Sequence, residues 1–339
     1  MTSSVQEIRA RVARRRGAVV AGALAAVLAV AIISLSAGDY AISPIDLWQT
    51  LLGGGDRVQS YVVFQVRAPR LVMALLVGAA LGAAGALLQS LLRNPLASPD
   101  LLGISAGSGA AAVFAILTLG LTGPLLAVVA FGGGLIVAAF LLLAGSRRAD
   151  GGFRLILAGA GVAFLCVALT NYLMVRAQVE LAQAALIWLT GSLASTPWWN
   201  VAIVAAAVIL ATPAVVACAR WLPLTQMGAS TAASLGVKPS TVRVVAVLTA
   251  VLLTSVTCAF VGPIAFIALC APAIARPLLG HGAVGIGTSA AVGAFLLTAA
   301  DLVAQFALPG FSLPVGVVTG AIGAVFLLWL LATSKGRQL

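Results

Sequence analysis

The stretch Leu71-Val-Met-Ala-Leu-Leu-Val-Gly-Ala-Ala-Leu-Gly-Ala-Ala-Gly-Ala-Leu-Leu-Gln-Ser-Leu91 decides the fold. Its twenty-one residues carry no charge. A helix rises about 1.5 Å per residue, so this one is long enough to cross a hydrocarbon core of about 30 Å. Gly78, Gly82 and Gly85 recur within it at the small-residue spacing that lets helices approach closely in lipid. Arg67 and Arg70 precede it and Arg93 follows it. It reads as a membrane-spanning helix made to pack against another.

Similar apolar runs recur along the chain. Apolar residues make up 62% and charged residues 8%, against about 25% charged in soluble domains. The expected spans are Gly17–Ala37, Leu71–Leu91, Leu101–Leu119, Leu121–Ala144, Leu155–Val175, Trp198–Ala219, Val242–Gly262, Ile264–Leu279, Val284–Phe306 and Pro314–Ala332. The first resembles a signal peptide but is long, lacks a clear cleavage site and precedes further spans, so it reads as a retained helix. The eighth is short and holds Pro272; such a segment survives at membrane depth only where protein or a cavity covers it. The expected architecture is an all-α polytopic membrane protein of about ten spans with both termini in the cytoplasm. Residues 1–16 form an N-terminal tail, 17–333 the transmembrane domain, and 334–339 a C-terminal tail.

One threading places fifteen of the nineteen Lys and Arg residues on the cytoplasmic side. These are Arg9, Arg11, Arg14, Arg15, Arg16, Arg93, Arg147, Arg148, Arg154, Arg220, Lys238, Arg243, Arg276, Lys335 and Arg337. Arg57, Arg67, Arg70 and Arg176 fall outside. The net charge of +11 thus reads as a topology signal and an attraction to anionic lipid. The basic residues are scattered over loops without interleaved aromatics, which argues against nucleic acid. Cys166, Cys218, Cys258 and Cys270 lie in or beside spans without metal-ligand spacing, and read as inert thiols. There is no Walker A or HExxH sequence, and His281 sits in a cytoplasmic loop. No hydrolytic constellation is present.

Five segments carry more specific information. Arg67 and Arg70, three apart around Pro69, share one helix face at an outer span end. They are either snorkelling anchors or guanidinium groups set for carboxylates, against the inside-positive trend. Arg93-Asn-Pro-Leu-Ala-Ser-Pro-Asp100 breaks the second span, and Ser98 is a candidate cap for the third. Gly103, Gly107 and Gly109 imitate a phosphate loop, but no strand precedes and no Lys follows, so they read as packing glycines. In residues 224–238, a short helix is expected over Gln226–Leu235, with Thr225 and Ser230 as caps, Gly236 as its stop and Pro239 opening the next span. That segment is either a plain connection or a helix docked in a partner's groove. The remaining two are Gly262–Arg276 and the glycine-spaced Leu313–Ala324.

Together these segments resemble the FecCD-type permeases of ABC importers, which import iron–siderophores, haem and vitamin B12. The matching text is Arg67-Ala-Pro-Arg70, Gly78–Gln89, Arg93-Asn-Pro-Leu-Ala97, Leu101–Gly107, Trp188-Leu-Thr-Gly-Ser192, Leu235-Gly-Val237, Gly262–Arg276, Ala300-Asp301 and Leu313–Gly323. The resemblance implies the ten-span type II importer fold and a second permease subunit, identical or paralogous. It also implies two cytoplasmic ATPase subunits, which carry ATP and Mg²⁺, and an extracytoplasmic substrate-binding protein. No cofactor is expected on this chain. It implies that Arg67 and Arg70 dock the binding protein. Thr225, Gln226, Met227, Gly228, Ala229, Ser230, Leu235 and Gly236 would meet the ATPase. Gln89, Asn94, Pro95, Pro263 and Pro272 would belong to the pathway or gate. Three positions depart from the family: Ala273 replaces its usual His, Gly280-His-Gly-Ala-Val-Gly285 replaces an acidic loop, and Gln305 stands where many members carry Arg.

The expected function is the membrane half of an ATP-driven importer for a metal chelate, a ferric siderophore first, with haem or cobalamin as the alternative. An ion-gradient transporter would need acidic or His relays within spans. Asp301 is the one carboxylate well inside a span, and reads better as a satisfied structural group. A membrane enzyme would need a nucleophile or metal constellation that the sequence lacks.

Overall fold

The computed structural model describes residues 2–38, 40–145, 151–194, 196–280, 284–308 and 311–334. Arg147, Arg148, His281, Lys335 and Arg337 lie outside the described residues. The helices are α1 (Thr2–Ser36), α2 (Pro44–Leu51), α3 (Arg57–Tyr61), α4 (Ala68–Leu92), α5 (Ile104–Leu119), α6 (Gly123–Gly145) and α7 (Gly151–Val175). Then come α8 (Val179–Leu189), α9 (Trp198–Gln226), α10 (Ala229–Ser234), α11 (Pro239–Val261), α12 (Ile267–Leu279), α13 (Ile286–Phe306) and α14 (Val315–Ser334). A π-helical segment, Val62–Arg67, joins α3 to α4.

Seven of the expected spans are helices long and apolar enough to cross a membrane. The third, eighth and tenth fall on the shorter apolar helices Ile104–Leu119, Ile267–Leu279 and Val315–Leu330. The third span starts at Ile104, not Leu101, because Asp100 to Gly103 turn and Gly103 takes a left-handed φ of 76°. Ser98 therefore caps a turn before α5: its Oγ accepts from the Leu101 N–H at 3.3 Å. Helix α8 is an addition, eleven residues long and with Glu180 in its first turn.

The bundle is built around α4. In its most apolar stretch 78% of residues are buried, against 6% in α1, which has higher hydropathy. Lipid and protein interior are equally apolar, so hydropathy cannot sort these helices; close backbone packing does. Helix α4 lies antiparallel to α13: a Cβ on Gly78 would overlap the Gly293 carbonyl, and one on Gly82 the Ser289 carbonyl. Further down, a Cβ on Gly85 would run into the Ala268 carbonyl of α12. The expected phosphate-loop mimic is a packing surface as read, with Gly107 of α5 against Gly133 and Val137 of α6.

The short α12 is covered as the sequence demands. The irregular crossing Gly262–Phe266 that precedes it carries positive φ at both ends, 75° and 68°. The crossing is laid against Gly191, whose Cβ position abuts the Pro263 carbonyl. Neighbouring backbone bonds run from Ser192 N–H to Val261 O at 2.8 Å and from Gly316 N–H to Gly191 O at 3.2 Å. Protein thus surrounds irregular backbone that lipid could not satisfy.

Candidate functional site

The sequence-derived site residues fall at two ends of the bundle and along α12. At the first end, Arg67 closes the π-helical segment. Its guanidinium donates to the carbonyls of Leu35 at 2.7 Å, Ser36 at 3.2 Å and Tyr40 at 2.6 Å. Leu35 and Ser36 close the last turn of α1, where carbonyls lack intrahelical partners, and Tyr40 lies just beyond it. Arg70 meets Asp301 of α13 with two parallel bonds, Nε to Oδ2 at 2.9 Å and Nη2 to Oδ1 at 2.8 Å. The Gln305 amide donates to Oδ2 at 2.8 Å. The Asp301 side chain is only 3% exposed and Arg70's 19%. A fork-on-fork pair with a third donor satisfies the carboxylate as a structural group and leaves it no role as a proton relay. Both arginines are thus held within the chain, and Arg70 already has the carboxylate that its geometry suits.

Along α12, Gln89 is 1% exposed. Its amide donates to the Leu269 carbonyl at 3.2 Å, while its Oε1 has no partner. Pro272 is buried inside α12, and Pro263 lies in the crossing before it. Arg276, further along α12, donates through Nη2 to Ser90 Oγ at 2.9 Å and to the Ala86 carbonyl at 3.3 Å, both in α4. Asn94 folds its own turn, Oδ1 accepting from the Leu96 N–H at 2.9 Å, and Pro95 is exposed beside it.

At the opposite end stands the α9–α10 elbow. Thr225 and Gln226 are the last residues of α9, not the start of a short helix, because α9 continues past the apolar stretch with Pro213 and Pro223 inside it. Thr225 Oγ1 bonds back to Leu222 O at 2.8 Å and caps nothing. Ser230 lies within α10, whose N-cap is Gly228 at φ 118°. Leu235 is the C-cap, Gly236 has φ 79°, and Pro239 opens α11 as expected. Met227 is 67% and Leu235 57% exposed, with Ala229 and Ser230 exposed between them. Arg93 reaches this elbow from α4, donating through Nη2 to the carbonyls of Thr225 at 2.8 Å and Gln226 at 3.1 Å.

Asp100, in the turn before α5, has its carboxyl pushed above the usual range by burial. The Ser105 hydroxyl, donating at 2.6 Å, and the Phe266 N–H partly offset that shift. Among the described residues no three His, Cys, Asp or Glu side chains gather as a metal site.

The pairing of Arg70 with Asp301 and the reach of Arg93 and Arg276 across helices leave no trace in any local pattern. A profile of the FecCD transport family matches residues 26–333. This chain belongs to the FecCD transport family. FecCD members are permease components of ABC transporters, in which ATP hydrolysis resides on a separate subunit, so this chain is a multi-pass cell-membrane permease and not an enzyme. Among FecCD relatives, it is 38% identical to the ferric enterobactin transport system permease protein FepG of Escherichia coli, over 90% of this chain and 92% of that protein. It is 39% identical to the Fe(3+)-citrate import system permease protein YfmE of Bacillus subtilis, over 93% and 95%. Its fold matches a metal-chelate type ABC transporter solved in an inward-facing conformation, with TM-score 0.83, 28% identity, and coverage of 92% of this chain and 98% of that one.

Proposed function

We propose that this permease carries ferric chelates, siderophores or ferric citrate, into the cytoplasm. It would work beside a second permease subunit, two ATPases on the elbow side and a binding protein on the Arg67 side. The observation that carries the substrate class is the iron-chelate relatives at 38% and 39% identity along nine-tenths of the chain. Nothing in the sequence favours haem or cobalamin over them. The exposed apolar Met227 and Leu235 support the ATPase side, because apolar surface in an aqueous loop marks a contact. The internal bonds of Arg67 and Arg70 argue for docking along the rim they hold together; Arg57, exposed at the start of α3, is a cation there that a partner's carboxylate can meet.

The test is uptake into proteoliposomes holding the full transporter, with radio-iron enterobactin, radio-iron citrate and labelled cyanocobalamin offered in parallel. ATP-dependent accumulation of an iron chelate alone is expected. Uptake of cobalamin without either iron chelate overturns the substrate class. Orientation is read separately: cysteines at Gly54 and Ser234 should label from opposite faces, Gly54 from outside. Labelling of Ser234 from outside reverses the topology.

A further inference from the structure

We propose that Arg93 is the positioning residue that ties movement of the α9–α10 elbow to α12. This rests on the reading of the elbow as the ATPase contact. Arg93 and Phe266 are the non-glycine residues with positive φ among the described residues, at 51° and 68°. One ends α4 and the other begins α12, and such a conformation strains any residue that carries a side chain. At Arg93 the left-handed turn swings the side chain onto the last two carbonyls of α9. Those carbonyls lie in the last turn of α9, at the negative end of the helix dipole, which suits a guanidinium; the Thr225 carbonyl also accepts from the Gly228 N–H at 3.3 Å. The return bond comes from α9: Gln226 Nε2 donates to Ser90 O at 3.4 Å. Ser90 in turn accepts from Arg276 on α12 through its hydroxyl, and the neighbouring Gln89 donates to Leu269, also on α12. The last turn of α4 therefore holds the elbow on one side and α12 on the other, through bonds that share Ser90. A push on the elbow reaches α12 through this turn. A plain helix cap would require only the Arg93 bonds, not the second set from Gln89 and Ser90 to α12.

The full transporter, with its ATPases, is reconstituted and supplied with radio-iron citrate or enterobactin, whichever it accumulates. ATP hydrolysed and chelate moved are measured together. Arg93→Ala should keep its ATPase and its hydrolysis but move about tenfold less chelate per ATP. Arg93→Lys, which can reach one carbonyl, should recover part of that ratio. Ser90→Ala, a smaller change that removes the Arg276 acceptor, should lower the ratio in the same direction; it decides the matter if Arg93→Ala fails to insert. An unchanged ratio in Arg93→Ala, or in Ser90→Ala where the first variant is lost, overturns the proposal. So does a lower thermal midpoint accompanied by a normal ratio, which would make Arg93 a cap only. Met227→Glu separates the underlying reading: if it retains the ATPase, the elbow is not the contact, whatever the Arg93 variants do.

Discussion

The two ends of this bundle are fastened by different chemistry. At the Arg67 end, beside the carbonyl bonds of Arg67, the Arg70 guanidinium meets a buried carboxylate in a two-pronged pair, with an amide as third partner. At the elbow end, Arg93 and Arg15 donate to main-chain carbonyls: Arg93 to Thr225 and Gln226, Arg15 to Leu278 and Pro277 at 2.8 and 3.1 Å. A desolvated charge pair is costly to break singly, because the survivor is left uncompensated. A guanidinium on an exposed carbonyl exchanges cheaply with water. The first end is therefore the fixed one and the second is free to rearrange, which suits the ATPase contact proposed there.

The largest expected effect tests the fixed end. Asp301→Ala strands Arg70 and should lower stability by about 3 kcal/mol, seen as a drop in the thermal midpoint in detergent. Adding Arg70→Met should restore part of the loss, since removing both charges costs less than removing one. If the double variant is as unstable as the single, the pair is not what fastens this end. Gln305→Ala removes only the amide and should cost about 1 kcal/mol on the same assay. At the elbow end, Arg15→Ala removes bonds made in an exposed place, and a loss below about 1 kcal/mol is expected; a loss as large as that of Asp301→Ala would erase the difference between the ends.

The smallest effect concerns Asp100, whose carboxyl is raised by burial. A raised carboxylate binds its proton more tightly folded than unfolded, so stability falls as pH rises from the unfolded value through the folded one. Asp100→Asn keeps one acceptor oxygen and removes the charge, so it should flatten that fall, leaving the variant at least as stable as the parent at neutral pH. A steeper fall in Asp100→Asn would reverse the sign.

Which helices exist was legible in the sequence; which of them touch was legible only in part. The glycine spacing of Gly78, Gly82 and Gly85 announced close packing, and that is where α13 and α12 come nearest. It could not name the partners, because a spacing describes one helix. Asp301 read correctly as a satisfied group, yet its partner Arg70 is 231 residues away, beyond any local pattern. The elbow was located but misdrawn. Hydropathy falls at Arg220, while hydrogen bonding carries α9 on to Gln226, since a helix ends where its caps are and not where the apolar stretch stops. Gly228 shows a further limit. The family resemblance sets it against the ATPase; within the chain a Cβ there would meet only the Thr231 Oγ1 at 3.8 Å, and its φ of 118° strains any larger residue. A charge at Gly228 would perturb the elbow by itself, so Met227 is the cleaner probe.

The backbone-to-backbone seam between α4 and α13 has a mechanical consequence. With carbonyls of one helix seated where the other has no side chains, neither rotation about the axis nor sliding by a residue is open to the pair, because either would drive a side chain into a main chain. The two helices must travel as a single beam. Relative movement inside this chain is thereby shifted to irregular segments outside the seam, of which Arg93–Gly103 follows α4 directly and Gly262–Phe266 leads into α12.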